Sequence, residues 1–239
     1  MTRKLVWPIL GLMFVSLAGC FLLGARSLVL GRGRHLHLVW NLFLAWLPLW
    51  LALGLDWWTR SANSANSKRL TGFGLGATWL LFFPNTFYLV TDLVHLNGRG
   101  KPHYWVDLVL VMIFALAGLV LGFLSLFIVQ RLVSHRLGWA AGWGFVGGIA
   151  VLNGFGVYAG RFLRWNSWDV IASPWALLRE GLQWVGQMPA RPLSFFLPLL
   201  FGALTFLAYV MLYALTHLQT QMGEGEGEEI SALGHPRET

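Results

Sequence analysis

The chain has 239 residues, of which 56% are hydrophobic and only 11% charged, and its mean hydropathy is +0.62. Soluble domains carry about a quarter charged residues, so the composition excludes an ordinary soluble domain and predicts an integral membrane protein. The formal net charge is +7. Its basic residues are scattered singly through short segments, which favours membrane lipids over nucleic acid as the partner.

Six apolar segments are long enough to cross a bilayer. They predict an all-α integral membrane bundle of about six transmembrane helices in one domain over residues 1–218. The predicted spans are about residues 5–24, 38–55, 70–92, 105–129, 137–160 and 193–217.

Residues 17–20, Leu-Ala-Gly-Cys, resemble a bacterial lipoprotein cleavage box. In that interpretation Cys20 would be lipidated after cleavage. The apolar run continues past Cys20 to full spanning length, which is longer than a signal segment needs, so we favour a plain first helix. A single cysteine also excludes an internal disulfide and a cysteine-based metal cage.

Two segments outside the spans have distinct patterns. Residues 174–186 carry Trp175, Leu178 and Leu182 at helical spacing opposite polar side chains. This segment is too short and too polar to span, so we expect an amphipathic helix lying in the membrane interface. Residues 219–239 are rich in glycine and glutamate, and we expect them to form a disordered acidic tail.

The third span ends in a polar stripe. Asn85, Tyr88, Asp92 and His95 are three, four and three residues apart, so on a helix they share one face. Polar groups in so apolar a segment are costly in lipid and usually face a bundle interior or a water-filled cavity. Pro84 removes one intrahelical hydrogen bond, which predicts a kink beside Asn85.

Counting crossings places both termini on one membrane face, called here the terminal face. The end of the third span, the first loop and the segment 161–169 then emerge on the opposite face, called the site face. The basic residues divide almost evenly between the two faces. If the arginines of the site are discounted, the positive-inside rule favours cytoplasmic termini.

The residues of the site face suggest an anion site. Arg161 and Arg164 could clamp an anionic headgroup or phosphate, with Asp92 orienting them or acting as a base. The structural alternative is an ion pair that locks the third span to the fifth. The candidate catalytic residues are Asp92 and His95. The candidate ligand-binding residues are Asn85, Tyr88, Asp92, Arg161, Arg164, Asn166 and Asp169.

Asp92 and His95 also have the spacing of two metal ligands, and His103 and Asp107 could complete a set. No ligand pair recurs elsewhere, so we favour a hydrogen-bonded imidazole and expect no metal and no cofactor. Asp107 at the start of the fourth span can instead complement the helix dipole. The chain has no motif of a serine nucleophile, a zinc protease, a P-loop or a dinucleotide site.

Small residues and amides within the spans predict helix packing. The pairs Gly118/Gly122 and Gly144/Gly148 have the four-residue spacing that permits close approach of two helices. Amides such as those of Asn41 and Asn153 are expected to hydrogen-bond across helices.

Four segments resemble an uncharacterised bacterial family of polytopic membrane proteins, the domain of unknown function DUF1361. They are Pro84-Asn85 followed by Tyr88, Asp92 and His95; the run GRFLRWNSWD at 160–169; WNLFLA at 40–45 with Pro48; and, more weakly, YWVD at 104–107. The resemblance runs from the second span to the interfacial segment. It implies a multi-pass protein of the bacterial cytoplasmic membrane and brings no established activity.

Three hypotheses of function follow. The first is a protein that binds or moves a small amphiphilic or anionic molecule at the site face. The second is a membrane-embedded enzyme acting on a lipid-linked or phosphorylated substrate, with Asp92 or His95 as base. The third is a structural scaffold whose polar stripe packs the bundle. The sequence alone does not decide between an enzyme and a non-enzymatic protein.

Overall fold

The structure is a computed structural model, and it describes residues 2–30, 35–61, 65–96, 103–165, 167, 169–187 and 192–233. Throughout these ranges the chain forms helices and short connections, without a strand. The elements are α1 (Thr2–Leu30), α2 (His37–Ser61), α3 (Ala65–Phe82), α4 (Pro84–Thr91), a 3-10 helix (Asp92–His95), α5 (Tyr104–Leu137), α6 (Trp139–Phe162), α7 (Asp169–Ala172), α8 (Pro174–Gln187) and α9 (Pro192–Leu233).

Six stretches of these helices are long and apolar enough to cross a membrane. Helices α1, α2, α5, α6 and α9 supply one each, and α3 with α4 supplies the stretch Leu70–Val94. The prediction of an all-helical bundle with six spans is therefore confirmed. Several helices outrun their predicted spans because a helix can continue beyond its apolar part; α1, for example, passes unbroken through Cys20 to Leu30.

Helices α8 and α9 cover the two segments that were predicted from composition. Along α8 the apolar side chains of Trp175, Leu178 and Leu182 are exposed, as a helix lying in a membrane interface requires. The helical backbone of α9 continues to Leu233, into the stretch where disorder was expected. Glutamate favours helix, which opposes the effect of the glycines there. The interfacial position of α8 and the disorder of the tail stay predictions.

The third span is divided into two helices at Pro84, the position of the predicted kink. Helix α3 ends at Phe82 and α4 begins at Pro84, with Phe83 between them. Proline has no N–H and its ring crowds the preceding turn, so the hydrogen-bond ladder cannot pass through Pro84 unbroken. The disturbance that the sequence predicted beside Asn85 therefore appears as the division of the third span into α3 and α4.

Helix α4 is held between two glycine pairs. A Cβ at Gly118 or Gly122 of α5 would collide with Thr86, whose backbone oxygen and hydroxyl face these positions. A Cβ at Gly156 or Gly160 of α6 would overlap Pro84 or Tyr88, respectively. Close approach is thus possible only because these four positions lack side chains. The predicted role of the Gly118/Gly122 pair is confirmed.

The packing of α6 differs from the prediction. Gly144 and Gly148 face open space, so this pair does not pack another helix among the described residues. The two glycines lie on a part of α6 that no neighbouring helix covers. Helix α9 instead approaches α6 at Gly154, where a Cβ would meet Gly202 and the backbone of Pro198.

Candidate functional site

Asp92 lies where α4 passes into the 3-10 helix, and only 2% of it is exposed. Arg161 Nη2 donates to Asp92 Oδ1 at 2.9 Å, and Asn41 Nδ2 donates to Oδ2 at 3.0 Å. The two donors come from α6 and α2. The contact agrees with the shared membrane face that crossing counts predicted, and it is the ion pair between the third and fifth spans that was given as the structural alternative. Both carboxylate oxygens are thereby engaged, and the three spans are tied together at the site face.

Arg161 is fixed by more than its carboxylate partner. The same Nη2 donates to the backbone oxygen of Thr91 at 2.9 Å. Its guanidinium carbon lies 5.8 Å from the centre of the Tyr88 ring, within reach of a cation–π interaction. The side chain is nevertheless 21% exposed. The guanidinium of Arg161 is therefore held in place by its neighbours, and part of the side chain remains accessible.

Two residues of α2 complete the surroundings of Asp92. His37 begins this helix, and its Nε2 lies 3.9 Å from Asp92 Oδ1. Asn41, one turn further along, makes the direct hydrogen bond. Sequence reasoning treated Asn41 only as a packing amide. The signal that could have identified it was its position near the site-face end of the second span, level with Asp92.

Arg164 has an unusual backbone conformation. Its φ is 59°, in the left-handed region where glycine normally ends a helix. The turn is closed by Trp165 N–H, which donates to the carbonyl of Ala159 at 3.2 Å. The side chain of Arg164 is exposed, and no ion-pair partner lies within 4 Å of it in the described part of the chain. An arginine at this position carries a conformational cost that the fold itself does not require.

A cleft of about 540 Å³ brings the two arginines together. It lies between α4 with the 3-10 helix, α6 and α9. Arg161 and Arg164 supply its charge, while Val90, Val94 and Phe201 form apolar walls. The cleft therefore combines a cationic part with a surface suited to hydrocarbon.

Asn85 supports the break in the third span. Its Nδ2 donates to the backbone oxygen of Phe82 at 3.0 Å and to Ser167 Oγ at 3.1 Å. Ser167 Oγ in turn donates to the backbone oxygen of Leu81 at 3.1 Å. Two carbonyls at the end of α3 thus regain donors that the helix no longer provides. The sequence prediction singled out Asn85 but missed Ser167, because the segment after α6 has no regular pattern.

A second ion pair lies on the same face. Arg26 at the end of α1 binds Asp107 of α5 through both ends of its guanidinium, at 2.5 and 2.9 Å. His35 Nε2 lies 3.7 Å from the same carboxylate. Burial lowers the pKa of His35, against the opposing attraction of Asp107. This pair was not predicted, although Arg26 and Asp107 both end apolar runs at the site face.

The remaining predicted residues lie around the cleft or outside the described part. Tyr88 packs beneath Arg161, and Asp169 begins α7, where its backbone oxygen accepts the N–H of Ser173 at 2.8 Å. Neither lines the cleft. Asn166 and the side chain of His95 fall outside what the structure describes. The catalytic roles suggested for Asp92 and His95 stay predictions.

Two of the four side chains in the metal hypothesis, Asp92 and Asp107, have other partners in the structure. Across the described ranges, no group of three or more His, Cys, Asp or Glu side chains is arranged to hold a metal ion. Asp107 instead binds Arg26, and Asp92 binds Arg161 and Asn41. Both carboxylates therefore act as counter-ions of arginines in this arrangement.

The segments that build this site match a known family. The family profile described as "Protein of unknown function (DUF1361)" matches residues 40–208, which is more than half of the chain. The chain belongs to the DUF1361 family. The matched region includes Asn41, Asp92 and Arg161 but begins after Arg26 and His35. No curated protein and no solved structure matches the chain significantly. DUF1361 membership thus establishes a multi-pass membrane protein of unknown function.

Proposed function

We propose that this DUF1361 protein binds a small anionic amphiphile, or moves it, at the cleft on its site face. The observation that carries the proposal is the pairing of Arg161 and Arg164 with apolar walls in one cleft of about 540 Å³. The anionic group would lie against the guanidiniums, and the hydrocarbon part would lie along Val90, Val94 and Phe201.

The two arginines would have different tasks. Asp92, the Thr91 carbonyl and the Tyr88 ring fix the direction of Arg161 before any ligand arrives, which reduces the entropy lost on binding. Arg164 has no such anchor within the described residues. Its charge is therefore available to a ligand, and bidentate contacts to a phosphate or carboxylate suit a guanidinium.

The charge balance of the site supports an anion. Asp92 is the carboxylate paired with Arg161, and it cannot also neutralise Arg164, whose side chain lies outside the 4 Å limit of every described carboxylate. One positive charge is left beside apolar surface at the edge of the membrane. A headgroup with negative charge would compensate it, whereas a neutral amphiphile would not.

The engagement of Asp92 favours binding over base catalysis. Both of its oxygens accept hydrogen bonds, and 2% of the residue is exposed. A general base must reach the proton that it removes, and these contacts leave Asp92 little access to a substrate. Asp92 is thus better suited to positioning Arg161.

We also infer that the protein lies in a bacterial cytoplasmic membrane with its termini in the cytoplasm. The support is the family resemblance and the positive-inside rule after the arginines of the site are discounted. The cleft would then open on the outer side of that membrane. Labelling from outside intact cells tests this orientation, using Leu36→Cys on the site face and Leu137→Cys on the terminal face, both exposed positions, in a Cys20→Ser background. Only Leu36→Cys should react.

The test of binding uses thermal unfolding of the protein in maltoside micelles. An alkyl phosphate is added, and a zwitterionic alkyl phosphocholine of the same chain length serves as the reference ligand. We expect the phosphate to raise Tm more than the phosphocholine does. Arg164→Gly should abolish that difference while stabilising the unliganded protein by about 1 kcal/mol, because glycine relieves the left-handed conformation.

Arg179→Gln provides the matched control. Arg179 is an exposed arginine of α8 on the same face and does not line the cleft. This variant should keep the full difference between the two ligands. The proposal is wrong if wild type shows no preference for the phosphate, or if Arg164→Gly retains it.

A further inference from the structure

A second cleft of about 410 Å³ lies at the other end of the bundle. Thr59 in the last turns of α2, Gly72 and Phe73 of α3, and Arg136 in the last turn of α5 surround it. These helix ends share the terminal face, opposite the cleft that contains Arg161. The two clefts therefore lie at the two surfaces of the membrane, and the second is independent of the proposed ligand site.

Among the described residues that line this second cleft, Arg136 carries the charge. Its side chain is exposed, and the described residues place no hydrogen-bond or ion-pair partner on it. The nearby Arg60 differs, because its Nη2 binds Asp56 Oδ1 at 2.8 Å. Arg136 is thus a cation at this cleft with which an external anion could pair.

The walls of the cleft are apolar and leave open space. Leu55 of α2 and Leu132 of α5 form its inner side, and Phe73 of α3 is 77% exposed at its edge. A Cβ at Gly72 would meet no atom within 4 Å. Glycine at this position therefore keeps the cleft open and is not required by helix packing.

We propose that this cleft is a binding site for an anionic phospholipid of the leaflet at the terminal face. The phosphodiester would pair with Arg136, and an acyl chain would lie between Phe73 and Leu132. Charge at the membrane surface combined with an apolar groove beneath it matches a lipid and not a free anion, since free phosphate would leave the apolar walls unused.

The test measures lipid retained by the purified protein, using native mass spectrometry. Phosphatidylglycerol and phosphatidylethanolamine with identical acyl chains are offered at equal concentration. We expect wild type to retain phosphatidylglycerol preferentially. Arg136→Gln should weaken that preference about fivefold, the effect of one basic side chain near an anionic surface. Gly72→Leu should reduce the retention of both lipids, because its side chain fills the cleft.

Two matched variants control for general effects. Arg131→Gln removes an exposed charge from the same end of α5, and Gly74→Leu adds the same side chain to α3. Neither position lines the cleft, so both variants should bind like wild type. Lipid bound at the site-face cleft is common to all variants and cancels from the comparison.

Three results would overturn the proposal. The first is a wild-type protein without preference for phosphatidylglycerol. The second is an equal loss in Arg131→Gln and Arg136→Gln, which would indicate diffuse surface charge. The third is unchanged retention in Gly72→Leu, and this variant decides the matter if Arg136→Gln fails to fold.

Discussion

Helices α3 and α4 share one membrane span but differ in how they pack. In α4, the side chains of Thr86, Phe87 and Leu89 are buried. In the first turns of α3, Leu70 is 79% exposed and Phe73 is 77% exposed, whereas Trp79 in its last turn is buried. The span therefore has an exposed half towards the terminal face and an enclosed half towards the site face, and burial begins at Trp79.

Glycines influence the packing of both halves, but with opposite effects. The glycines that face α4 belong to α5 and α6, and they let Thr86 and Tyr88 approach those backbones closely. The glycines of α3 itself, at 72, 74 and 76, face open space. The comparison shows that closely spaced glycines promote helix packing only where another helix lies opposite them. Asp92 follows the enclosed half, so its anchoring of Arg161 rests on a fixed helix.

The largest difference between the halves should come from adding one methyl group. Gly118→Ala places a Cβ against the backbone oxygen of Thr86 and the side chain of Leu89, neither of which can move freely. We expect a loss of about 3 kcal/mol in the free energy of unfolding, at the upper end for overpacking. Gly74→Ala meets no atom within 4 Å and should stabilise the protein by about 1 kcal/mol.

Unfolding in mixed micelles with a denaturing detergent measures both changes. If Gly118→Ala lowers the free energy of unfolding and Gly74→Ala raises it, the two halves of the span differ in packing as described. Equal effects would mean that α4 is no more tightly held than α3.

A smaller effect should follow from removing side-chain hydrogen bonds at the break between the two helices. Asn85→Ala leaves the Phe82 carbonyl without its side-chain donor and removes the link to Ser167. We expect a loss of about 2 kcal/mol, the usual penalty for an unsatisfied polar group in an apolar setting. Differential scanning fluorimetry on the purified protein follows the change.

Thr78→Ala in α3 is the companion variant. The Thr78 hydroxyl donates to the Gly74 carbonyl, which the helix already supplies with a donor, and the side chain is exposed. Its loss should change Tm little. A Thr78→Ala effect as large as that of Asn85→Ala would remove any special role for the break.

The smallest effect concerns pH and the second ion pair of the site face. Burial lowers the pKa of His35 in the folded protein below its ordinary value of about 6.5. The unfolded chain therefore takes up the proton first as the pH falls, so folding stability is complete above about pH 6.5 and declines below it. Arg26 and His37 add repulsion to the protonated form, while Asp107 partly offsets it.

His35→Gln should flatten the decline of Tm between pH 7 and pH 5. Thr78→Ala, which removes no titratable group, should leave the wild-type slope in place. If His35→Gln retained the full slope, the pH response would have to arise elsewhere.

The sequence predicted the spans well because their signal is local. Length and hydropathy were sufficient to predict six spans, and counting crossings was sufficient to place Asp92 and Arg161 on the same membrane face. Pro84 predicted that the third span is disturbed. How the helix is interrupted there depends on the donors that reach the freed carbonyls. Ser167, one of those donors, lies 86 residues from the Leu81 carbonyl that it serves. No local pattern carries that information.

Contacts between helices were harder to predict. The pairs Gly118/Gly122 and Gly144/Gly148 have identical spacing, yet the first packs α4 and the second faces open space. The Arg26–Asp107 pair was missed because each residue has an ordinary explanation at the end of its own span. The left-handed backbone of Arg164 is likewise invisible in the sequence, since it arises from the turn that follows α6.

A double-mutant cycle on Asp92 and Arg161 tests most directly whether the enclosed half anchors the cationic cleft. Unfolding free energies are measured for Asp92→Asn, Arg161→Ala and the double variant, with the exposed pair Asp56 and Arg60 as reference. Each single change should cost about 3 kcal/mol, and the double should recover about 2 kcal/mol of their sum. The reference pair should couple by no more than about 0.5 kcal/mol. Additive losses at Asp92 and Arg161, or coupling no larger than that of the reference, would contradict the anchoring of Arg161 by Asp92.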